Sequence, residues 1–204
     1  MPARRRLRFH GRIAGVGSSS GVRIVVGRWH DSPLGSFGDA MVEEPDGHRV
    51  LVAPDESVAE FIAATYVFDE VRLESITVTG ADPHWQVRSE SLHLDLGVGG
   101  RTALGRLLRL VPRRLSTAPW WCALTDPIAR VVLRGVRTRG DTGERREWYG
   151  ATDHHAIDSA AGTWMGTDLG ALARVEPPPR FGFSSTPPRP SVTEVTTTVE
   201  VEAT

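Results

Sequence analysis

The sequence predicts an α+β protein: a curved or barrel-like, mostly antiparallel β-sheet with a helical insert at about residues 101–134. Three observations predict it. Short runs of Val, Ile and Leu alternate with polar or small residues over much of the chain, as in strands with one buried face. Turns containing Gly or Pro separate these runs. Between 101 and 134 the alternation gives way to leucines spaced three and four apart.

From Gly21 to Trp29, Val22, Ile24 and Val26 alternate with Arg23, Val25 and Gly27, which predicts a strand. Ala40–Glu44 and His48–Ala53 flank Pro45-Asp46-Gly47 and read as a hairpin. Pro54-Asp55-Glu56-Ser57 opens a helix with acids in its first turn and Val58, Phe61, Ile62 and Tyr66 on one face. Alternation resumes at Val71, Leu73, Ile76 and Val78, then at Leu92, Leu94 and Leu96. In the insert, Leu104, Leu107, Leu108 and Val111 oppose Arg106, Arg109 and Arg113, a basic amphipathic helix over 101–114. A second helix is expected over roughly 113–124, and a third capped by Asp126 with Pro127 at its first position, ending near Leu133-Arg134-Gly135. Two strand pairs close the chain: Val136–Arg139 with Arg145–Ala151, and Arg180–Phe183 with Val192–Val201. The proline-rich pieces 176–180 and 187–190 read as ordered loops. With 204 residues, 40% of them hydrophobic, residues 1–204 are expected to form one domain.

Composition removes several chemistries. The chain contains no Lys and no Asn, and Arg supplies all 24 basic side chains. A Schiff-base nucleophile, a Lys general base and a phosphate loop built on Gly-Lys-Ser/Thr are therefore excluded, and no cofactor is expected. The single Cys122, beside Trp120, Trp121 and Leu124, reads as a buried, inert thiol. The arginines near the N-terminus are followed by Gly and Ser rather than an apolar run, so no signal peptide is expected. No stretch reaches the ~18 apolar residues of a membrane span, so no integral membrane segment and a cytoplasmic location are expected.

The net charge of −1 hides alternating blocks: seven Arg and one acid in 1–38, three and twelve in 39–90, eleven and three in 101–146, three and eight in 147–204. Such blocks are expected to lie against one another as salt-bridged surface, and a sequence pI near 6.7 argues against a nucleic-acid partner.

Few residues announce chemistry. Asp153-His154-His155, with Asp158 and Glu147-Trp148-Tyr149 nearby, form the densest polar cluster. Asp153 and His155 share a strand face, but a zinc site needs further ligands that nothing in the spacing supplies, so no metal is expected. A metal-assisted hydrolase using that pair is the third functional reading. Asp31 next to His30 suits an acid–base pair, while an Asx-type turn before Pro33 accounts for Asp31 as well. Gly15–Gly21 reads as a β-turn rather than a phosphate cradle, because no helix follows it. Trp148 and Tyr149 alternate faces, so one of them faces inward.

Ser32-Pro33-Leu34-Gly35-Ser36-Phe37-Gly38-Asp39-Ala40-Met41, followed by a hairpin and Val52-Ala53-Pro54-Asp55, resembles the Ser-Pro-x-Gly-Pro-Tyr-x-Glu segment of acetoacetate decarboxylase-like proteins. The resemblance covers about a quarter of the chain and places the family's acid on Asp39. The family's Trp-Gly-x-Pro-Lys stretch, with its Schiff-base lysine, has no counterpart here; helix 57–66 occupies that region. The chain also resembles a bacterial family of about this length, through Arg-Glu-Trp-Tyr-Gly (146–150) and Phe-Gly-Phe-Ser-Ser-Thr-Pro (181–187), which implies no activity. The leading expectation is thus a lysine-free, acetoacetate decarboxylase-like barrel that binds a small organic, acidic ligand. Its ligand-binding candidates are Asp39, Arg28, Trp148 and Tyr149, and its catalytic candidates Asp39, His30 and Asp31, with Asp39 facing the interior beside an Arg or His. The alternative is a non-catalytic interaction module whose basic helix 101–114 meets an anionic membrane surface or acidic partner.

Overall fold

The structure is a computed structural model and describes residues 4–132, 137–141, 145–182 and 186–202. In chain order the elements are β1 (Arg4–Ser18), β2 (Arg23–Asp31), β3 (Phe37–Glu43), β4 (Arg49–Ala53), α1 (Glu56–Ala63), β5 (Glu70–Leu73), β6 (Thr77–Ala81), β7 (His84–Arg88) and β8 (Leu92–Arg101). There follow α2 (Ala103–Leu108), α3 (Arg113–Ser116), α4 (Pro119–Val132), β9 (Arg139–Asp141), β10 (Arg146–Trp164), β11 (Thr167–Asp168), β12 (Leu172–Ala173) and β13 (Ser191–Glu202). The strands form one sheet in the order β5-β4-β3-β2-β1-β13-β10-β8-β7-β6, antiparallel except for β4 with β5. It curls until Val78 of β6 lies against the backbone of Gly38 on β3, giving the curved sheet with a helical insert that the sequence predicts.

The two faces of the curl do different things. Ala14, Val16, Ile24, Val26, Ala40 and Val42 point to one side, where they meet Trp85, Leu92, Leu94 and Leu96 in a sealed core. Each fully buried aliphatic side chain there contributes about 1.5–3 kcal/mol relative to exposure. At one end Arg12 holds Asp82 through two bonds of 2.9 Å, and Arg12 and Arg28 both stack on Trp85. The barrel interior is therefore filled. On the opposite face, Leu51 and Ala53 of β4 pack on Val58 and Ala59 of α1, and α2, α3 and α4 cover the rest.

Several elements differ from expectation. β1 and β10, the longest strands, were not anticipated at that length. The basic helix over 101–114 is broken: α2 is capped by Thr102, whose hydroxyl accepts from Gly105 N at 3.1 Å, and ends at Leu108. Pro112 follows and breaks any continuation, since it cannot donate a helical hydrogen bond. Asp126 is not an N-cap. It lies inside α4, its carboxylate accepting from Thr138 N at 2.8 Å, and Pro127 is likewise within the helix rather than at its first position. The predicted end of that helix at 133–135, and Val136, fall outside the described residues. Arg180–Gly182 is not a strand, and β13 pairs instead with β1 and β10. Val71 and Leu73 point outward on the edge strand β5, because the opposite positions Glu70, Arg72 and Glu74 form ion pairs. The charge blocks do meet across strands: Arg4 and Arg6 of β1 both bind Glu200 of β13, at 3.1 and 2.9 Å. Among the described residues no helix is long and apolar enough to cross a membrane.

Candidate functional site

Side chains on the face away from the sealed core line two adjoining chambers, of about 70 and about 420 Å³. Ile13, Val25, Met41, Tyr66 and Tyr149 line both. The parity of the strands explains the arrangement: Val25, Gly27 and Trp29 on β2 share a face with Asp39 and Met41 on β3, opposite the core residues Ile24 and Val26.

The smaller chamber is walled by Phe9, Phe61, Ile62 and Val199 and holds two buried carboxyls. Asp39, 4% exposed, accepts a hydrogen bond of 2.8 Å from Trp29 Nε1. Burial pushes its pKa up to about 6, against the lowering effect of the indole bond. Gly27 makes that pair possible, since a Cβ there would lie 2.2 Å from Asp39 Oδ1 and 2.6 Å from Trp29 Nε1. Glu147 accepts from Thr65 Oγ1 at 2.6 Å and from the Tyr149 hydroxyl at 2.7 Å, and Tyr66 hydrogen-bonds Tyr149 in turn. With the Tyr149 proton committed to Glu147, the Tyr66 hydroxyl is the donor in that last contact. Burial raises the Glu147 pKa and, reinforced by the Glu147 charge, holds both phenols in their protonated forms.

The larger chamber lies between the sheet and the helical cover. Leu104, Leu108, Val111 and Trp121 face Val195, Ala151 and Phe181 across it. Cys122 also lines it, and burial pushes the thiol pKa up to about 11.

The candidates from the sequence divide sharply. Asp39 and Tyr149 line the cavity; Asp39 sits on β3 facing inward, with an indole rather than an Arg or His as its partner. Trp148 takes the opposite face of β10, under the Arg6 guanidinium. Arg28 is committed to Trp85 and to Gly80 O, at 2.8 Å, outside the cavity. His30 and Asp31 are exposed at the end of β2, outside both chambers. Strand alternation turns Trp29, not His30, toward the cavity. Asp153 is gripped by the Arg101 fork at 2.8 and 2.9 Å; although partial burial works the other way, that fork and the His154 N–H hold its pKa down at about 2. Among the described residues no group of three or more His, Cys, Asp or Glu is placed to hold a metal ion. Trp29, Thr65 and Tyr66 were missed, and Glu147 was named only beside the Asp153-His154-His155 cluster, not with Asp39. For Trp29 the signal was present, two residues from Gly27 in a run whose parity was already read.

The chain matches no protein-family model and no curated protein. A protein provisionally named AttH from Nitrosomonas europaea, known as a crystal structure, is similar at 10% identity with a TM-score of 0.27. The match covers 98% of this chain and 52% of that one, so this chain spans about half the length of that protein.

Proposed function

We propose that the protein binds a small, predominantly apolar organic molecule in the cavity between the sheet and its helical cover, with Asp39 at the polar inner end. One observation carries this reading: a chamber of about 420 Å³, walled by aliphatic and aromatic side chains, adjoins a small chamber containing a buried carboxyl with a pKa of about 6. Ligand sites are typically apolar clefts of about 300–1,000 Å³ with a few convergent polar groups, some of them with perturbed pKa values. The inner chamber has two carboxyls and neither Arg nor His in its lining. An acidic head group is disfavoured there, and a hydroxyl, amine or amide donor suits Asp39. Asp39's place in the cavity supports the likeness to acetoacetate decarboxylase-like proteins as far as a binding role; without Lys, Schiff-base decarboxylation has no nucleophile. The test is titration with the solvatochromic dye Nile red. A saturable, one-site fluorescence increase that is weakened in Ala151→Phe, whose ring would project into the large chamber, supports the reading; unsaturable binding, or binding indifferent to that substitution, sinks it.

A second reading has its own observation. Five large apolar side chains on the helical cover, Leu107, Leu110, Leu115, Trp120 and Leu124, are 39–78% exposed, interspersed with the exposed Arg106, Arg109, Arg113 and Arg114. Apolar tips among arginines suit an anionic lipid surface. The two readings are compatible, because the same cover walls the large chamber.

A further inference from the structure

The large chamber is mostly apolar, yet three polar atoms of its lining residues have no hydrogen-bond partner among the described residues: His154 Nε2, Thr186 Oγ1 and Ser191 Oγ. These residues are only 7%, 9% and 2% exposed. A buried donor or acceptor left unmatched is costly, and native proteins keep few of them. The strand register gathers the three into one corner. Ser191 on β13 lies opposite Gly15 of β1 and Ala156 of β10. His154 lies opposite Thr193, diagonal to Ser191 on the same face, a spacing of roughly 7–8 Å. Thr186 rests directly on the Gly15 backbone, where a Cβ would fall 2.6 Å from its own Cβ. The other imidazole nitrogen, Nδ1, is hydrogen-bonded to Thr102 Oγ1 at 2.9 Å, which fixes the ring. Burial, then the neighbouring His155, lowers the His154 pKa and keeps the imidazole neutral, so Nε2 offers a hydrogen bond rather than a charge.

We propose that His154, Thr186 and Ser191 form a second polar recognition point that takes an oxygen-bearing end of an elongated apolar ligand whose opposite end reaches Asp39. This rests on the reading that the cavity binds an apolar molecule. The register supplies the span. Asp39 lies opposite Gly27, Gly27 opposite Ile13, Ile13 opposite Thr193, and Thr193 opposite His154. The two polar points therefore sit on one row across the sheet, four strand steps or about 19 Å along its curved surface. Ile13, Val25 and Met41 line the boundary between them, and Met41 is an unbranched side chain that re-packs readily around an occupant. The ligand class is a long aliphatic or fused-ring molecule oxygenated at both ends.

Displacement of bound Nile red by decanol, dodecanol and tetradecanol, and by the diols of the same lengths with a hydroxyl at each end, tests this. At least one diol should displace the dye about tenfold more tightly than its monoalcohol, the gain from one further well-placed hydrogen-bonded end. Ser191→Ala and, as a near-isosteric second variant, Thr186→Val should each cut that advantage. Equal affinity of every diol and its monoalcohol, with the dye still displaced, overturns the second recognition point and leaves the cavity reading standing. A diol advantage untouched by both variants also overturns it. Failure of every alcohol to displace the dye overturns the ligand class and with it the second recognition point, while the cavity reading is decided by the dye titration itself.

Discussion

Trp29 donates its indole N–H to the carboxyl of Asp39 at 2.8 Å, across two strands whose register leaves only a glycine between them. Among the described residues this is the sole hydrogen bond to the Asp39 carboxyl, the one buried carboxyl in the cavity whose pKa is displaced to about 6.

The displacement has a definite sign. Asp39 goes from 3.8 to about 6 on folding, so the native protein holds this proton more tightly than the unfolded chain. Its contribution to stability is fully present below about pH 4 and is lost as pH rises through 6. A shift of that size corresponds to about 3 kcal/mol at neutral pH. Asp39→Asn keeps an acceptor for the indole and removes the charge. Urea unfolding should find the variant more stable than the parent near pH 8 by an amount of that order, and nearly equal to it near pH 4. A difference that does not change with pH would mean that Asp39 is not buried as a charge.

Gly27 offers a steric test of the same pair. Alanine there would place a methyl within 2.2 Å of Asp39 Oδ1 and 2.6 Å of the indole nitrogen. One side chain must leave, so Gly27→Ala should lose on the order of 2–3 kcal/mol, as expected for a broken buried hydrogen bond plus overpacking. A red shift of tryptophan emission should accompany the loss. An unchanged melting temperature and spectrum would contradict the close approach.

The parts of this fold that can be read from sequence are those where burial alone sets the pattern. Val22, Ile24 and Val26, and Leu92, Leu94 and Leu96, alternate because one face of each strand meets the sealed core, and Asp55 caps α1 by accepting from Val58 N as its position suggests. β1 escaped because its first half carries arginines whose partners lie on β13, nearly two hundred residues away. β10 was read as a strand pair only to Ala151, because bulges between Ala151 and Asp153, and around Ile157, break its two-residue period. The site shows the same division. Asp39 was reached through a local motif and Tyr149 through strand parity, whereas Thr65 and Tyr66 read as helix. They follow the end of α1 at Ala63, and their hydroxyls meet Glu147 and Tyr149, over eighty residues away.

That long-range chain makes Tyr149→Phe informative. The substitution strips Glu147 of one of its two hydroxyl donors and Tyr66 of its acceptor. Glu147 is 4% exposed, so losing a donor to its carboxylate should cost about 1–3 kcal/mol. The cost should be greater near pH 8 than near pH 4, because only the ionised Glu147 needs the donor and its pKa, raised by burial, would rise further. Tyr66→Phe leaves the Thr65 and Tyr149 donors of Glu147 in place and should change the pH dependence less. Equal effects of the two variants at both pH values would show that the hydroxyls do not act in series.

The second reading, in which the helical cover meets an anionic lipid surface, makes its own prediction. Leu110, 78% exposed, and Trp120, 57% exposed, are expensive to present to water unless something receives them, and the surrounding arginines favour a negatively charged receiver. Near such a surface each Arg contributes about 1 kcal/mol, screened over about 10 Å at 0.1 M salt. Arg113 gives part of its charge to Glu194, which leaves Arg106, Arg109 and Arg114 as the main electrostatic contributors. Vesicles containing anionic lipid should therefore retain the protein in co-sedimentation at low salt and release it as ionic strength rises. Leu110→Asp should weaken retention even at low salt, because apolar insertion and charge act together. If neutral and anionic vesicles retain the protein equally, the arginines have no part in it; if neither retains it while an acidic protein partner does, the cover is a protein interface instead.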